Sequence, residues 1–331
     1  MRGMILAAGY GTRLRPLTLY RAKPAVPFLN RPLIQYSLDL FQKAGVKEVV
    51  VNTHHLPETV QQAAQRSGMD ILFSYENTIL GTAGALKQVE DFLKTGTFLL
   101  SNGKIFFEGD LREALLTHRQ SKALVTLVVV PYYAGDPFLP VVTDSDLRIT
   151  GFARNKPNLT ADSTHFYIFT GIQIVEPQLL EFIPKGFSDS IADIYPGLIQ
   201  AGYRLQAHLS QAYWCETSTP LRYLEKSLEV LRRKRLERLS ESHLEGQLKA
   251  AIVGSSVRCN GPISVTESVI WDHVHIGSNS SLHRVVAVDG VNLPRGFQAR
   301  EVILTPRDEK ILELMGSPVD GDCEFAIWPL E

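Results

Sequence analysis

The chain has 331 residues, 44% of them hydrophobic and 21% charged, with a formal net charge of -1. That length exceeds what one core usually fills, so a large domain and a smaller one are expected, and the balanced charge excludes a global pull toward nucleic acid or an anionic membrane. Cys215, Cys259 and Cys323 show neither metal-ligand nor redox spacing, the apolar run 4–8 is too short for a signal-peptide core, and no stretch approaches the ~20 apolar residues of a membrane span; a cytoplasmic protein is expected.

Residues 4–8 read as a buried strand, after which Gly9, Gly11 and Thr12 open a loop. Asn30 as N-cap, Pro32 in the first turn, Ile34, Leu38 and Phe41 on one stripe, and Gly45 at the end predict a helix. A strand at 49–51, a helix at 57–67, a strand at 71–75, a helix at 82–93 and a strand at 98–100 follow. This alternation predicts an α/β domain with a Rossmann-like mixed, mostly parallel sheet, whose ligands bind beyond the carboxyl ends of the strands. From 123 to 174 strands dominate, at 124–130, 141–142 and 166–174, and predict an insertion covering the open end of the sheet. A helix between 221 and 248 carries Leu224, Leu228 and Leu231 on one stripe and ends in the polar stretch 240–247. It sets the expected boundary between a first domain, 1–240, and a second, 241–331. The run Arg232-Arg233-Lys234-Arg235 is broken by glutamates at 225, 229 and 237 on the same helix, and reads as a solvated face rather than a nucleic-acid patch.

After Ala250 the period becomes six: Val257, Ile263 and Val269 recur, as do Ile270, Ile276, Leu282 and Val288 one residue out of phase. Hexapeptide spacing predicts a small parallel β-helix of about three coils before Leu304. Its open coil edges make a homo-oligomer the expectation. The last thirty residues, with Phe325, Ile327, Trp328 and Leu330, are too apolar for a free tail and should dock on another surface. A hexapeptide acyltransferase is a minor alternative, with His273, His275 or His283 as general base, but these fall between the inward aliphatics and read as surface residues.

The string Leu6-Ala7-Ala8-Gly9-Tyr10-Gly11-Thr12-Arg13-Leu14-Arg15-Pro16-Leu17-Thr18, followed by Lys23-Pro24, reads as a phosphate cradle. Glycines let backbone N–H groups close on an anion, and Arg13 and Lys23 add fixed positive charge. Leu14 stands where a dinucleotide fingerprint needs its third glycine, and no Gly-Lys-Ser/Thr triplet makes a P-loop. Together with Leu80-Gly81-Thr82-Ala83-Gly84-Ala85-Leu86, Asn102-Gly103, Asn155-Lys156-Pro157, Phe169-Thr170-Gly171-Ile172 and Tyr213-Trp214-Cys215-Glu216-Thr217-Ser218-Thr219-Pro220, the string resembles the sugar nucleotidyltransferase (nucleotide-sugar pyrophosphorylase) family. The resemblance runs over nearly the whole chain and is closest to mannose-1-phosphate guanylyltransferase-like members with a C-terminal left-handed β-helix.

What the resemblance implies is transfer of a nucleoside monophosphate from a nucleoside triphosphate to a sugar 1-phosphate, with GTP and mannose 1-phosphate as the favoured pair. Arg13 and Lys23 are the implied catalytic residues, on the departing pyrophosphate and the α-phosphate. Leu6, Ala8, Gly9, Gly11, Thr12, Glu76, Gly81, Thr82, Asn102, Gly103 and Lys104 fall at the implied nucleotide site, and Asn155, Lys156, Thr170 and Gly171 at the implied sugar-phosphate site. Two aspartates of the family hold Mg²⁺; Lys104 and Glu216 stand in their places, which leaves Glu216 as the one implied metal ligand. An ammonium cannot coordinate Mg²⁺, and three readings of Lys104 stay open. It substitutes for metal charge, it marks a paralogue that binds nucleotide sugar as a regulatory or scaffold subunit, or it faces solvent while Glu108 or Asp110 takes the metal. Asp110 also precedes residues 111–115, with Glu113 at capping-box spacing, and reads as a helix cap. Asn155 and Ser218 replace a glutamate and a glycine of the family pattern.

Overall fold

The apolar run at the start of the chain forms β1 (Arg2–Leu6), with Met4 and Ile5 fully buried. It lies inside a nine-stranded sheet with β2 (Glu48–Thr53), β3 (Asp70–Tyr75), β4 (Phe98–Asn102), β5 (Val125–Pro131), β6 (Val141–Thr143), β7 (Ile149–Phe152), β8 (Phe166–Val175) and β9 (Leu205–Leu209). The computed structural model describes residues 1–133, 136–153, 165–316 and 324–331. Its chain divides into two units, Met1–Gly9 with Ile34–Cys215, which holds the sheet, and Tyr10–Leu33 with Glu216–Glu331.

In the first unit β4, β1, β2 and β3 are parallel neighbours, joined by α1 (Leu33–Lys43), α2 (Pro57–Gln65), α3 (Gly81–Gln88) and α4 (Glu90–Leu93), since parallel strands need a crossover. Ile34, Leu38 and Phe41 bury completely along α1. The expected cap does not form: Asn30 stands at φ 60 and Pro32 lies in a two-residue strand, so the helix starts only at Leu33. The predicted helix 82–93 is likewise two helices, broken where Val89 leaves helical geometry at ψ 24.

Among the described residues the strands of the strand-rich stretch extend the sheet rather than cover it. Residues 172–175 of β8 pair with β4 on one side and β5 on the other, both antiparallel, β9 then adds parallel to β5, and β6 and β7 continue the far edge. Burial explains this, because Ile172, Ile174 and Val175 are fully buried and a strand apolar on both faces belongs inside a sheet. Two further helices, α5 (Arg112–Ser121) and α6 (Tyr195–Gln200), pack on β5 and β9 and on β7 respectively.

The second unit contains α7 (Pro220–Arg233), capped at its start by the Thr219 hydroxyl, which accepts from the Arg222 N–H. It is shorter than the spacing predicts, with Leu224, Leu228 and Leu231 buried and residues 232–235 exposed. Parallel pairing begins directly afterwards at Arg238, so part of the polar stretch 240–247 is itself strand. Ile252 pairs with Val269, Val269 with Val286 and Val286 with Ile303, a coil of 17 residues. Two sides of each coil are hexads and one is a residue shorter, which accounts for the phase slip between the two aliphatic series in the sequence. The first ladder stacks five parallel rungs, more than about three coils would supply.

Strand Phe325–Pro329 then pairs antiparallel with Val302–Pro306, the last rung, and the Trp328 indole N–H donates to the Thr305 hydroxyl at 3.0 Å. The apolar tail therefore docks on the β-helix itself, with Phe325, Trp328 and Leu330 buried. Residues 10–33 belong to the same unit. The Arg21 guanidinium reaches Asp272 at 2.7 Å and Asp289 at 2.6 Å and lies over the Trp271 ring, while the Tyr20 hydroxyl donates to the Pro306 carbonyl at 2.8 Å. Among the described residues no helix is long and apolar enough to cross a membrane.

Candidate functional site

The expected site residues fall into two groups, one in each unit. In the first unit the carboxyl ends of β1, β2, β3 and β4 carry Leu6, Asn52, Tyr75 and Asn102. Just past β1 the Ala7 N–H donates to Asn52 Oδ1 at 2.7 Å, Asn52 Nδ2 donates to Glu76 Oε1 at 2.7 Å, and Glu76 Oε2 accepts the Leu80 N–H at 2.9 Å. Glu76 is 1% exposed, and each of its carboxylate oxygens accepts a hydrogen bond from the protein. The Gly103 N–H donates to the Leu6 carbonyl at 2.9 Å, which ties the turn after β4 to the end of β1. Ala8 is buried and Gly9 exposed. Lys104 is half-buried in the turn between β4 and the strand Ile105–Phe107.

Gly81 and Thr82 open α3, and each has a structural duty of its own. A Cβ on Gly81, which stands at φ 75, would lie 2.4 Å from the Ser188 carbonyl oxygen; that oxygen also accepts the N–H groups of Ala83 and Gly84. The Thr82 hydroxyl donates to Asp189 at 2.9 Å. Residues 186–190 thus press against the start of α3, and only a residue lacking a side chain admits them there.

Thr170 and Gly171 sit where the pairing of β8 with β5 shifts register between Phe169 and Ile172, a bulge of the kind that redirects side chains beside active sites. Thr170 donates to the Val128 carbonyl at 2.7 Å, and its own carbonyl accepts the Trp214 indole N–H at 2.9 Å. Gly171 stands at φ 89, and a Cβ there would meet Asn102 Nδ2 at 2.5 Å. The structure therefore brings Gly171 onto Asn102, one residue of each implied subsite. Asn155 and Lys156 lie outside the described residues.

In the second unit Gly11 stands at φ 65, and its carbonyl accepts from the Leu14 N–H and from the Thr18 hydroxyl at 3.0 Å. This folds 11–14 into a tight turn that leaves Thr12 and the Arg13 side chain exposed. Lys23, by contrast, is buried: its side chain is 7% exposed, with Nζ 3.8 Å from Glu216 Oε2. Glu216 is equally enclosed, yet its Oε1 has no hydrogen-bond partner among the described residues, and neither has the adjacent Thr217 hydroxyl. A buried carboxylate oxygen left unmatched costs stability unless a donor or cation completes it.

That oxygen is a chemically suitable donor for Mg²⁺, a hard cation. One carboxylate beside an ammonium is not a cage, however, and among the described residues no three His, Cys, Asp or Glu side chains cluster to hold an ion. Asp110 is used otherwise, since its carboxylate accepts from the backbone N–H of Arg112 and pairs with the Arg112 guanidinium. It ties down the first turn of α5, although Leu111 rather than Asp110 is the N-cap residue.

Sequence reasoning passed over Asn52 and Arg21. A polar residue ending the apolar run 49–51 was the available signal for the first. For the second it was the recurrence of aspartate at 272 and 289, one coil apart. Burial pushes the Asp272 carboxyl up, but hydrogen bonds from Arg21 and Ser255 outweigh it and hold it below the usual range; at Asp289 burial prevails over Arg21 and the carboxyl is raised. The histidines of the β-helix are surface groups, His273 exposed and His275 and His283 half-buried on neighbouring side chains.

A family model described as nucleotidyl transferase matches residues 2–233. A UTP–glucose-1-phosphate uridylyltransferase of Synechocystis sp. is 33% identical over 294 residues, 83% of this chain and 72% of the relative. A mannose-1-phosphate guanylyltransferase of Mycobacterium tuberculosis is 28% identical over 300 residues, 88% of this chain and 81% of the relative. A mannose-1-phosphate guanyltransferase of Candida albicans is 30% identical over 258 residues, 74% and 70%. With the matched region taking in the sheet of the first unit, the turn at Gly11, the Lys23–Glu216 pair and all of α7, the chain belongs to the nucleotidyl transferase family of enzymes.

Proposed function

We propose that this protein transfers the nucleoside monophosphate of a nucleoside triphosphate to a sugar 1-phosphate, with GTP and mannose 1-phosphate as the favoured pair. The observation that carries this reading is the family match over residues 2–233, together with relatives named for that reaction. An oxygen of the sugar 1-phosphate attacks the α-phosphorus of the triphosphate. The bond from that phosphorus to the oxygen bridging to the β-phosphate breaks, and pyrophosphate leaves. No covalent intermediate on the protein is needed, so the protein aligns the reactants and neutralises charge.

In this scheme Lys23 meets the α-phosphate and Arg13 the departing pyrophosphate. Lys156 would hold the sugar phosphate, with Thr170 and Gly171 beside it. Burial favours Lys23 for this task, since an ammonium shielded from water acts more strongly on a developing negative charge. The Synechocystis relative supports a competing choice of substrates, UTP with glucose 1-phosphate. The test is to incubate GTP, UTP, dTTP, CTP and ATP separately with several sugar 1-phosphates, with and without Mg²⁺, and to measure pyrophosphate. Silence across that whole matrix would sink the transfer reading.

A second reading, a regulatory or scaffold subunit that binds nucleotide sugar without making it, is favoured by one observation: the position of Lys104, beside Gly103, where the family pattern has a metal-binding aspartate. Calorimetric binding of GDP-mannose or UDP-glucose without turnover would support it, and turnover restored by Lys104→Asp would mark a decayed active site.

A further inference from the structure

We infer that Asn52 and Glu76 are positioning residues, which lock the exit of β1 to the start of α3 through a hydrogen-bond relay of fixed polarity; this rests on the reading above, in which both segments grip the nucleoside triphosphate. The relay has a backbone donor at each end, the N–H of Ala7 and the N–H of Leu80. Two donor ends demand one member between them that only accepts. Asn52 accepts through Oδ1 and donates through Nδ2, so Glu76 must accept on both oxygens. Only a carboxylate does that, which explains why one stands at a position 1% exposed, where burial is costly. Nearby backbone contacts hold the same junction: the Glu76 N–H donates to the Thr53 carbonyl at 2.8 Å, and the His54 ring donates through Nδ1 to the Glu76 carbonyl at 2.7 Å.

Polarity gives the inference a sharp test. In Glu76→Gln the new amide donates where an acceptor is needed, so either the Leu80 or the Ala7 bond is lost. In Asn52→Asp two carboxylates face one another. The double variant Asn52→Asp/Glu76→Gln restores every bond at the same net charge: the new carboxylate at position 52 would accept from Ala7 and from the new amide at position 76, whose oxygen would accept from Leu80.

The experiment is calorimetric titration of the full chain with GTP, and with UTP in parallel, alongside the Michaelis constants for nucleotide and for sugar 1-phosphate. Each single variant is expected to weaken nucleotide binding by tenfold or more with the Michaelis constant for sugar 1-phosphate unchanged, and the double variant to return to within threefold of the parent. Unchanged nucleotide affinity in the singles, or a double variant no better than the worse single, overturns the relay. If a single variant does not fold, the double decides alone: folded with parental affinity supports the relay, and unfolded or tenfold weaker overturns it. A parent chain that binds GTP or UTP without turnover refutes the transfer reading and leaves the relay to be judged on affinity. One that binds neither refutes both.

Discussion

The two groups of site residues are built on opposite principles. In the first unit, Asn52 and Glu76 spend their polar atoms on one another and on backbone, Gly81 and Gly171 are explained by close packing, and Thr82 by its hydrogen bond to Asp189. In the second, Glu216 is just as enclosed, yet one of its carboxylate oxygens is unmatched among the described residues, while the other lies 3.8 Å from Lys23 Nζ. A saturated network specifies shape, whereas an unsaturated one holds interaction capacity in reserve for something that arrives. On the proposed function, the contrast would separate residues that shape the site from residues that act in it, and substitutions can break or sharpen it.

The largest effect is expected at Lys23. Lys23→Met should lower kcat by roughly 10²–10³, about 2.7–4 kcal/mol of transition-state stabilisation, measured as pyrophosphate release under saturating substrates. A loss confined to the Michaelis constants would move Lys23 to the shaping group. Gly171→Ala comes next: a left-handed φ and a contact at 2.5 Å with Asn102 should cost about 1–3 kcal/mol of stability, read in a denaturant melt. A silent substitution there would mean that the bulge yields easily.

Glu216→Gln separates the two principles most directly. If the unmatched oxygen awaits a ligand, turnover falls far more than stability does; the amide no longer balances the buried Lys23 ammonium, so a modest fall in melting temperature accompanies the loss. Turnover retained beside a lowered melting temperature would show that the carboxylate is structural.

The smallest effect concerns His118, on the saturated side. Its Nδ1 lies 2.8 Å from the Thr126 hydroxyl and its Nε2 donates to Glu176 at 2.9 Å, and burial, outweighing that carboxylate, holds its pKa below the ordinary 6.5. A folded-state pKa below the unfolded one means that stability is intact above pH 6.5 and declines as pH falls from there toward the folded-state value. His118→Gln should flatten that part of the stability profile. An unchanged slope would assign the acid sensitivity elsewhere.

Legibility followed the range of the interaction. Local period revealed the parallel strands, the amphipathic helices and the β-helix, because a buried stripe must recur at the spacing of its element. It misjudged the start of α1, since neither Asn30 nor Pro32 reveals in sequence that tertiary contacts draw it elsewhere; the Asn30 amide donates to the Val253 carbonyl at 2.7 Å. The strands at 125–131 and 166–175 were legible as strands but not as members of the main sheet, because pairing order depends on partners far away in sequence. At the site, Gly11, Lys23 and Gly171 could be named from motif. The use of Asn52, and the fact that Glu76 faces inward, depended on hydrogen-bond directions that residue types do not encode.

The antiparallel strand at 325–329 has a consequence for how this molecule meets copies of itself. Stacked coils form a ladder that any strand of matching direction could prolong, and an uncapped end would invite fibre-like growth. Because the final strand pairs along Val302–Pro306, the outer edge of the last parallel rung in that ladder is occupied by the chain's own backbone. Five residues thereby cover the last parallel rung of one ladder.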